Sequence, residues 1–357
     1  MTSIRTRKLV RRSVLKGLGA TAALAVFPHV RRASAAEAIE QASFEIAGVR
    51  DPQLGAQLAI AEHYGYFKDE GLTVTIHWNQ SGADTLTVMA GGSQPIGVGG
   101  AFTQIVFSGQ KLPIRAISAL ADIAPTQGFA LSPDVKLTSP KELEGKKLAW
   151  TQGNSQILIL AKLAKVYGFD MKKVTLVNMN PSEGVVAASK GDVDGLLGWQ
   201  PNLYRLIQLG GTMYTTATTN YMSGKPEEYS FADRLQYNNS LLHAAQDWID
   251  HKPNTLKALL RVVKRATETI NADRANALQA MQKILRIDPE PLAVMAGANQ
   301  YGMAIDDKLI TTIEFVNEWA LSIKRIPNPV TPEDALAPEL LAAVDPSLVT
   351  WKPKAKS

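Results

Sequence analysis

The chain has 357 residues, of which 45% are hydrophobic and 20% are charged, so it can bury the core of one or two domains. Its formal net charge of +5 is misleading, because eight of the 38 lysines and arginines lie within residues 1–35, a segment that has no acidic residue. The other 30 basic residues are fewer than the 33 acidic ones. The basic surface typical of a nucleic-acid-binding protein is therefore not expected.

Residues 1–35 have the features of an export signal. A basic region containing Arg11-Arg12 precedes the apolar run 17–27, and Ala33-Ser34-Ala35 supplies the small-x-small pattern that leader peptidase accepts. The paired arginines, the following apolar pair and Lys16 resemble the twin-arginine signal, which exports folded proteins in bacteria. An ordinary secretory signal or a retained amphipathic anchor is the alternative. Since the apolar run is shorter than the about 20 residues that span a bilayer, we predict a soluble periplasmic protein.

The sequence contains no catalytic signature. It has no cysteine, which excludes thiol catalysis, thiolate metal sites and a lipid-anchoring cysteine at the cleavage point. A Gly-x-Ser-x-Gly elbow and a phosphate loop are also missing. The histidines at 63, 77, 243 and 251 are not spaced as metal ligands. We therefore predict a protein that is not an enzyme and that has no cofactor and no metal.

In chain order, the residues after the leader alternate between strand and helix patterns. The elements predicted as far as residue 131 are strand 44–49, helix 54–67, strand 73–78, helix 82–90, strand 96–98, a helix ending at residue 107, and strands 114–120 and 128–131. This alternation favours a parallel sheet with right-handed crossover helices.

A polar segment at residues 139–147 precedes a second alternating series. The predicted strands are 148–150, 174–177, 196–199 and 213–216, and the predicted helices are 154–167, 182–190, 203–209, 244–251, 254–272, 275–284, 291–297 and 308–323. Two such series favour two α/β lobes whose carboxyl-end loops face each other across a cleft.

The segment from Gly191 to Pro201 is the first candidate for a wall of that cleft. Its pattern predicts a helix end, a tight turn, a buried strand and an open loop, so the strand would deliver Trp199 and Gln200 to its carboxyl end. Small ligands bind at that end of open α/β sheets. The alternative is that Trp199 belongs to the core and Gln200 is a solvated cap.

Small residues precede three predicted helices, at Ser81-Gly82, Gly99-Gly100-Ala101 and Gly153-Asn154-Ser155. The amino end of a helix presents free N–H groups and a partial positive charge of roughly half a unit, so it can hold an anionic or polar group. Ordinary capping explains Asn154 or Ser155 equally well. Three such starts favour a cleft for a small polar or anionic molecule.

Several blocks of the sequence together resemble a known family. They are the twin-arginine leader, the segment 61–74 with Gly-Tyr-Phe-Lys-Asp-Glu-Gly-Leu-Thr-Val, the segment 139–149 with Ser-Pro-Lys-Glu-Leu-Glu-Gly-Lys-Lys-Leu-Ala, and 191–201. The chain is similar to the substrate-binding proteins of ABC transporters in the nitrate, sulfonate and taurine group, which is itself similar to thiamine-pyrimidine-binding proteins.

The resemblance implies an α/β, two-lobed periplasmic-binding-protein type II fold. The first lobe would comprise residues 36–131 and 229–357 and the second residues 132–228, after a signal peptide at 1–35. A monomer would close on one small-molecule ligand and deliver it to a membrane permease and its ATPase. The residues implied at the ligand are Arg50, Gln53, Ser81, Gly82, Gly100, Ala101, Phe102, Gln152, Asn154, Ser155, Trp199 and Gln200.

Two of these residues depart from the family pattern, which usually has Glu or Asp at Gln200 and commonly proline at Phe102. Both departures favour a larger organic anion with an apolar part, such as a sulfonate, a taurine-like molecule or an aromatic acid, over nitrate. Arg50 either pairs with the acid group of that ligand or is a solvated surface residue. The alternative functions are an enzyme of lyase or pyrimidine-forming type on the same fold and a sensory binding subunit.

Overall fold

The computed structural model describes residues 38–79, 82–152 and 155–353, so the predicted leader lies outside the described residues. The strands in the described part are β1 Ser43–Val49, β2 Thr73–Asn79, β3 Ile96–Gly100, β4 Ile114–Asp122, β5 Gln127–Leu131, β6 Lys147–Trp150, β7 Thr175–Asn178, β8 Gly195–Trp199, β9 Thr212–Thr216, β10 Thr219–Asn220, β11 Glu227–Glu228, β12 Asn239–Ala245 and β13 Gln300–Tyr301.

The helices flank these strands and make up most of the last third of the described chain. They are α1 Ala56–Tyr64, α2 Tyr66–Asp69, α3 Gly82–Ala90, α4 Ala101–Gly109, α5 Ile157–Tyr167, α6 Pro181–Lys190, α7 Asn202–Gln208, α8 Gln246–His251, α9 Pro253–Ala272, α10 Arg274–Leu285, α11 Pro289–Ala298, α12 Asp307–Ser322, α13 Pro332–Ala335 and α14 Glu339–Val344. Among the described residues, no helix combines the length and the apolar character needed to cross a membrane.

The strands form two mixed sheets, each of which defines one lobe. The first sheet has the order β13-β4-β12-β3-β1-β2, with β1 parallel to both β2 and β3. The second has the order β11-β10-β9-β5-β8-β6-β7, with β6 parallel to both β7 and β8. Within each parallel group the carboxyl ends of the strands lie at one edge of the sheet, which is where the predicted ligand loops begin.

The second sheet is covered on both faces, as its side-chain alternation shows. Phe129, Leu131 and Leu197 pack in one apolar cluster with α5, whereas Ala130 and Leu196 pack in another with α6 and α7. Successive strand residues point to opposite faces, so a strand buried on both sides reads as a continuous apolar run. Burial on both faces explains why the apolar run 196–199, which predicted a buried strand, is continuous.

Sheet membership shifts one predicted boundary. Strand β5 was assigned to the first lobe, which was expected to extend to residue 131, but β5 pairs with β8 and β9 of the second sheet. The chain therefore crosses between the lobes after Asp122, at the end of β4, and returns before Asn239, at the start of β12. The predicted boundary at residues 228 and 229 falls directly after β11.

The two crossing segments lie side by side. The backbone N–H of Ile123 donates to the carbonyl of Asn238 at 3.0 Å, and Arg234 Nη1 lies 2.6 Å from Asp122 Oδ2. Both charged side chains are largely shielded, with 13% and 20% of their surfaces exposed, so this ion pair is screened less by solvent than an exposed one. The pair fixes the two segments to each other beside the lobe boundary.

Strand β12 is the main element that the sequence analysis missed. Residues 244–251 were predicted as a helix, but the chain remains extended to Ala245 and only then forms α8. Leu241, Leu242 and His243 are fully buried between β3 and β4, to which β12 is antiparallel. A short apolar run buried on both faces has no two-residue alternation, so its period does not distinguish it from a helix.

His243 introduces a titratable group into this strand. Its Nδ1 lies 2.9 Å from Gln104 Oε1. The Nε2 of Gln104 donates to Ser108 Oγ and to the carbonyl of Ile114, which leaves Oε1 as an acceptor for an Nδ1–H of the imidazole. Burial lowers the pKa of His243 from 6.5 to about 3, so the folded protein holds the ring neutral.

This burial predicts an acid-sensitive stability. The unfolded chain takes up a proton at position 243 below pH 6.5, whereas the folded chain resists protonation until about pH 3. The free energy of unfolding should fall through that window by up to about 1.4 kcal/mol per pH unit from this group. His243→Gln should show a flatter pH dependence in urea unfolding, and His251→Gln, at an exposed position, should not. Equal slopes in wild type and His243→Gln would contradict the assignment.

Candidate functional site

The loop after β1 carries the first predicted site residues and has a defined shape. Asp51 Oδ1 accepts hydrogen bonds from the backbone N–H groups of Gln53 at 2.9 Å and Leu54 at 2.8 Å. Burial raises the pKa of Asp51 against the opposing effect of these two bonds. The turn presents Gln53, which is 4% exposed, beyond the carboxyl end of the strand.

Two of the three predicted helix starts lie next to each other. A Cβ atom added to Gly82 would lie 3.7 Å from Gly99 Cα and 3.9 Å from Gly100 N, so α3 and α4 begin side by side. Ala101 is fully buried at the first turn of α4. The structure thus brings Gly82, Gly100 and Ala101 together at the edge of the first sheet, while Ser81 lies outside the described residues. The amino ends of α3 and α4 therefore place two partial positive charges next to each other.

Arg50 is held in place by its own lobe. Its Nη1 donates to the carbonyl of Ile284 at 2.9 Å, close to the carboxyl end of α10, and its guanidinium carbon lies 5.5 Å from the ring centroid of Trp78. Trp78 in turn packs against Gly48 and Gly55, where a Cβ atom would lie within 3.0 Å of its ring. The alternative of a freely solvated Arg50 does not hold, because the side chain is half-buried and bonded.

Phe102 packs inside the first lobe. Its ring centroid lies 4.8 Å from that of Trp319 on α12, and the side chain lies against the core of that lobe. The expectation that Phe102 adds an aromatic surface for the ligand therefore has a competing explanation, because the ring stabilises the packing of α4 on α12.

Gln200 has a structural role at the edge of the second lobe. Its Oε1 accepts from the backbone N–H of Tyr204 at 3.0 Å, which satisfies one of the free donors at the start of α7. The residue is 8% exposed, so it is a buried cap rather than the solvated one considered from the sequence. Trp199, directly before it, ends β8 opposite Gln127 and is half-buried.

A chain of four side-chain and backbone amide groups joins the two lobes. Gln53 Nε2 donates to the carbonyl oxygen of Gln200 at 3.2 Å. Gln53 Oε1 accepts from Thr126 Oγ1 at 2.7 Å and from Gln127 Nε2 at 3.1 Å. Gln127 Oε1 accepts from Gln156 Nε2. We call Gln156, Gln127, Gln53 and the Gln200 carbonyl the amide chain; it places the carboxyl-end loops of β1 and β8 in direct contact.

The third predicted helix start contributes one described residue to this region. Ser155 Oγ accepts from Gln236 Nε2 at 2.7 Å, and Gln236 lies on the second crossing segment with no exposed surface. Asn154 lies outside the described residues. Gln152 is exposed and its backbone N–H donates to Asn178 Oδ1 at 2.9 Å, so its described contact is with the end of β7.

A second contact between the lobes lies at the protein surface. The hydroxyl of Tyr204 on α7 donates to Glu290 Oε1 on α11, and this hydrogen bond raises the pKa of Tyr204. Together with the amide chain, it connects the second lobe to the helical face of the first.

Sequence reasoning missed five of the residues in these contacts, which are Thr126, Gln127, Gln156, Gln236 and Tyr204. Thr126 and Gln127 lie where β5 was assigned to the wrong sheet. Gln156 directly follows the predicted segment 153–155, so the predicted helix start at that segment was the sequence feature that could have identified it. Gln236 and Tyr204 carry no sequence pattern, because only the meeting of the lobes brings them to the site.

A separate cavity of about 140 Å³ lies beside the crossing segments. Asp122 and Arg234 form part of its wall together with Asp306 and Lys308, and it includes none of the predicted ligand residues. Within residues 38–79, 82–152 and 155–353, no group of His, Asp and Glu is arranged to hold a metal ion.

Comparison with known proteins places the chain in a group of binding proteins and enzymes. The profile of a family described as NMT1/THI5 like matches residues 55–277, more than half of the chain. The 4-amino-5-hydroxymethyl-2-methylpyrimidine phosphate synthase of Aspergillus parasiticus is 25% identical over 232 residues, 63% of this chain and 65% of that protein. The taurine-binding periplasmic protein of Escherichia coli K12 is 26% identical over 145 residues, 41% of this chain and 45% of that protein. The chain thus spans less than two thirds of either relative.

The solved structures establish the fold. The periplasmic aliphatic sulphonate binding protein SsuA from Escherichia coli superposes with a TM-score of 0.70 at 12% identity, over 89% of this chain and 94% of that chain. This likeness, with the two mixed sheets, confirms the two-lobed α/β fold of the type II periplasmic binding proteins that the sequence predicted.

The amide chain predicts that Gln53 controls lobe contact. Gln53→Leu removes the bond to the Gln200 carbonyl and the cross-lobe bonds of Thr126 Oγ1 and Gln127 Nε2. Thr126 and Gln127 keep bonds to the Ile123 carbonyl and to each other, whereas an unpaired buried group such as the Gln200 carbonyl costs about 1–3 kcal/mol. The lobes should separate to let water reach these groups, which increases the radius of gyration in small-angle X-ray scattering.

Gln57→Leu is the matched control. Gln57 is also buried, but it donates to the carbonyl of Leu120 within the first lobe. Both variants should lower the melting temperature, and only Gln53→Leu should change the radius of gyration. An unchanged radius in Gln53→Leu would show that the amide chain does not hold the lobes together.

Proposed function

The chain belongs to the NMT1/THI5-like family, and on that premise we propose that it is the periplasmic solute-binding subunit of an ABC importer. The protein captures a small organic anion, either a sulfonate, a taurine-like molecule or an aromatic acid, by closing its two lobes. It then delivers the ligand to the membrane permease, which works with its ATPase. The resemblance of residues 1–35 to a twin-arginine signal supports the proposed export to the periplasm.

The observation that carries the proposal is the contact between the loops after β1 and β8. Gln53 of the first lobe bonds to Gln200 of the second at the carboxyl ends of both parallel strand groups. A ligand held between these loops contacts both lobes only when they are closed, so it shifts the equilibrium towards the closed form. A permease that recognises the closed form can then distinguish loaded from empty protein.

The charge of the site supports an anionic ligand. The adjacent amino ends of α3 and α4 contribute partial positive charges at Gly82 and Gly100, and none of the predicted ligand residues is acidic. The names of two similar proteins agree with this class of ligand, since one is a taurine-binding protein and the other an aliphatic sulphonate binding protein.

An enzyme on the same fold is the second candidate, because one relative is named a pyrimidine phosphate synthase. The resemblance to pyrimidine-forming synthases implies a cysteine-rich motif, which this chain cannot supply because it has no cysteine. Incubating the protein with each compound that binds and recording proton NMR spectra separates the two functions. A binding protein returns the compound unchanged, whereas an enzyme yields a product.

A thermal-shift panel should identify the ligand class. It should contain alkyl and aryl sulfonates, taurine, aromatic carboxylates, nitrate and pyrimidines. A ligand at 100 times its dissociation constant adds about 2.7 kcal/mol to the free energy of unfolding, so an organic anion should raise the melting temperature. Stabilisation by pyrimidines alone, or by no compound, would contradict the proposed ligand class.

Trp199→Ala tests the placement of the site. Loss of this half-buried ring at the end of β8 should weaken binding of the stabilising compound at least tenfold in calorimetry, about 1.4 kcal/mol. Tyr64→Ala serves as the control. It removes an exposed ring at the carboxyl end of α1, the end away from the loop that carries Gln53, and it should bind the compound normally. Unchanged affinity in Trp199→Ala would remove Trp199 from the site.

A further inference from the structure

One buried oxygen at the end of the amide chain has no hydrogen-bond partner among the residues that the structure describes. Gln156 is 5% exposed, its Nε2 donates to Gln127 Oε1, and its Oε1 is buried and unpaired. Buried polar atoms in folded proteins are nearly always bonded to protein, water or ligand, so an exception at a candidate site points to a missing partner.

The direction of the amide chain fixes which atom of Gln156 is left over. The Gln200 carbonyl can only accept, so Gln53 must direct its NH2 group towards it. Gln53 Oε1 then faces Gln127, which must donate with its own NH2 group. Gln127 Oε1 therefore faces Gln156, whose NH2 group is used there. Rotating any one amide by 180° would oppose two oxygens or two NH2 groups, so the unpaired atom is an acceptor.

The side-chain oxygen of Gln236 is a second unpaired atom, and this residue bonds to the chain neighbour of Gln156. Gln236 is fully buried, its Nε2 donates to Ser155 Oγ, and its Oε1 has no partner in the described part of the chain. Ser155 is the chain neighbour of Gln156. Because a serine hydroxyl can donate or accept, the orientation of the Gln236 amide is less constrained than that of Gln156.

The bonded neighbours of these two amides are uncharged. The described hydrogen bonds link Gln156 and Gln236 to Gln127 and Ser155, and through them to Thr126 and Gln53. Burying an ammonium group without a carboxylate partner is costly, whereas an uncharged N–H or O–H group is satisfied by one oxygen acceptor.

We propose that Gln156 Oε1 is a ligand subsite that accepts a hydrogen bond from an uncharged O–H or N–H group of the ligand, with Gln236 beside it. The inference rests on the proposed binding function and deepens it. The ligand is an organic anion that carries a hydroxyl, amide or aromatic amine group in addition to its acid group. The acid group faces the amino ends of α3 and α4, and the donor group faces the second lobe.

Matched ligand pairs test this inference by calorimetry. The first pair is ethanesulfonate and 2-hydroxyethanesulfonate, and the second is benzoate and 3-hydroxybenzoate. In at least one pair, wild-type protein should bind the hydroxylated member at least tenfold more tightly, which corresponds to about 1.4 kcal/mol. Taurine, whose amine is an ammonium group at neutral pH, should gain less over ethanesulfonate than the hydroxyl compound does.

The variant Gln156→Met tests whether the preference for the hydroxylated ligand arises at Gln156 Oε1. Methionine keeps a side chain of similar length without a strong acceptor, so this variant should bind both members of a pair equally. Gln110→Met, at an exposed position beyond α4, should retain the preference. A preference that persists in Gln156→Met would overturn the assignment to this oxygen.

The outcomes in wild-type protein separate the two proposals and do not depend on the folding of any variant. Equal affinities within every pair that binds would overturn the donor subsite and leave the binding function intact. A larger gain for taurine than for 2-hydroxyethanesulfonate would overturn the requirement for an uncharged donor. Failure of every sulfonate and carboxylate to bind would overturn the proposed function, and the subsite with it.

Discussion

The side chain of Gln53 is the point on which the arrangement of the two lobes depends. Gln53 is 4% exposed, and its amide makes three hydrogen bonds, to the Gln200 carbonyl, to Thr126 Oγ1 and to Gln127 Nε2. The Gln200 carbonyl directly follows β8 of the second lobe, Thr126 directly precedes β5, and Gln127 is the first residue of that strand. A glutamine suits this position because its amide offers both an acceptor oxygen and a donor NH2 group without a charge to desolvate.

The sheets explain why this contact forms between these particular loops. In each lobe a parallel group of strands brings its carboxyl ends to one edge, and the crossing segments after Asp122 and before Asn239 join the lobes near those edges. The ion pair of Asp122 with Arg234 holds the crossing segments together. The lobes can therefore separate or close about two short connections while each sheet keeps its own core.

The parts of the fold that depend on local pattern were predictable from the sequence. The alternating series before and after residue 140 gave the parallel strands β1 to β3 and β6 to β8, because each has a strong apolar run bounded by glycine or polar turns. Strand β12 and the sheet assignment of β5 were not predictable, since antiparallel insertion between distant strands leaves no mark in a seven-residue or five-residue apolar segment.

The residues of the candidate site also divide into those that local sequence pattern predicts and those that only distant contacts bring together. Gln53 and Gln200 were predicted as ligand residues and lie where the lobes meet, and Gly82 and Gly100 lie together at the starts of α3 and α4. Strand ends and helix starts such as these can be located from sequence. The partners Gln127, Gln156 and Gln236 could not be found in this way, since each becomes a neighbour of the site only through contacts between lobes or crossing segments. The role of Gln200 as the cap of α7 also required the observed bond to Tyr204.

On the proposed function, the ligand is held between the lobes and favours their closed arrangement. A chain without cysteine allows two spin labels to be placed cleanly, at Tyr64→Cys in the first lobe and Val186→Cys in the second, both at exposed positions. Double electron–electron resonance should then show a broad or longer distribution of distances between the two labels without ligand. With a saturating amount of the organic anion that stabilises the protein most, it should show one narrow, shorter distance. A distribution that is unchanged by saturating ligand would contradict binding between the lobes.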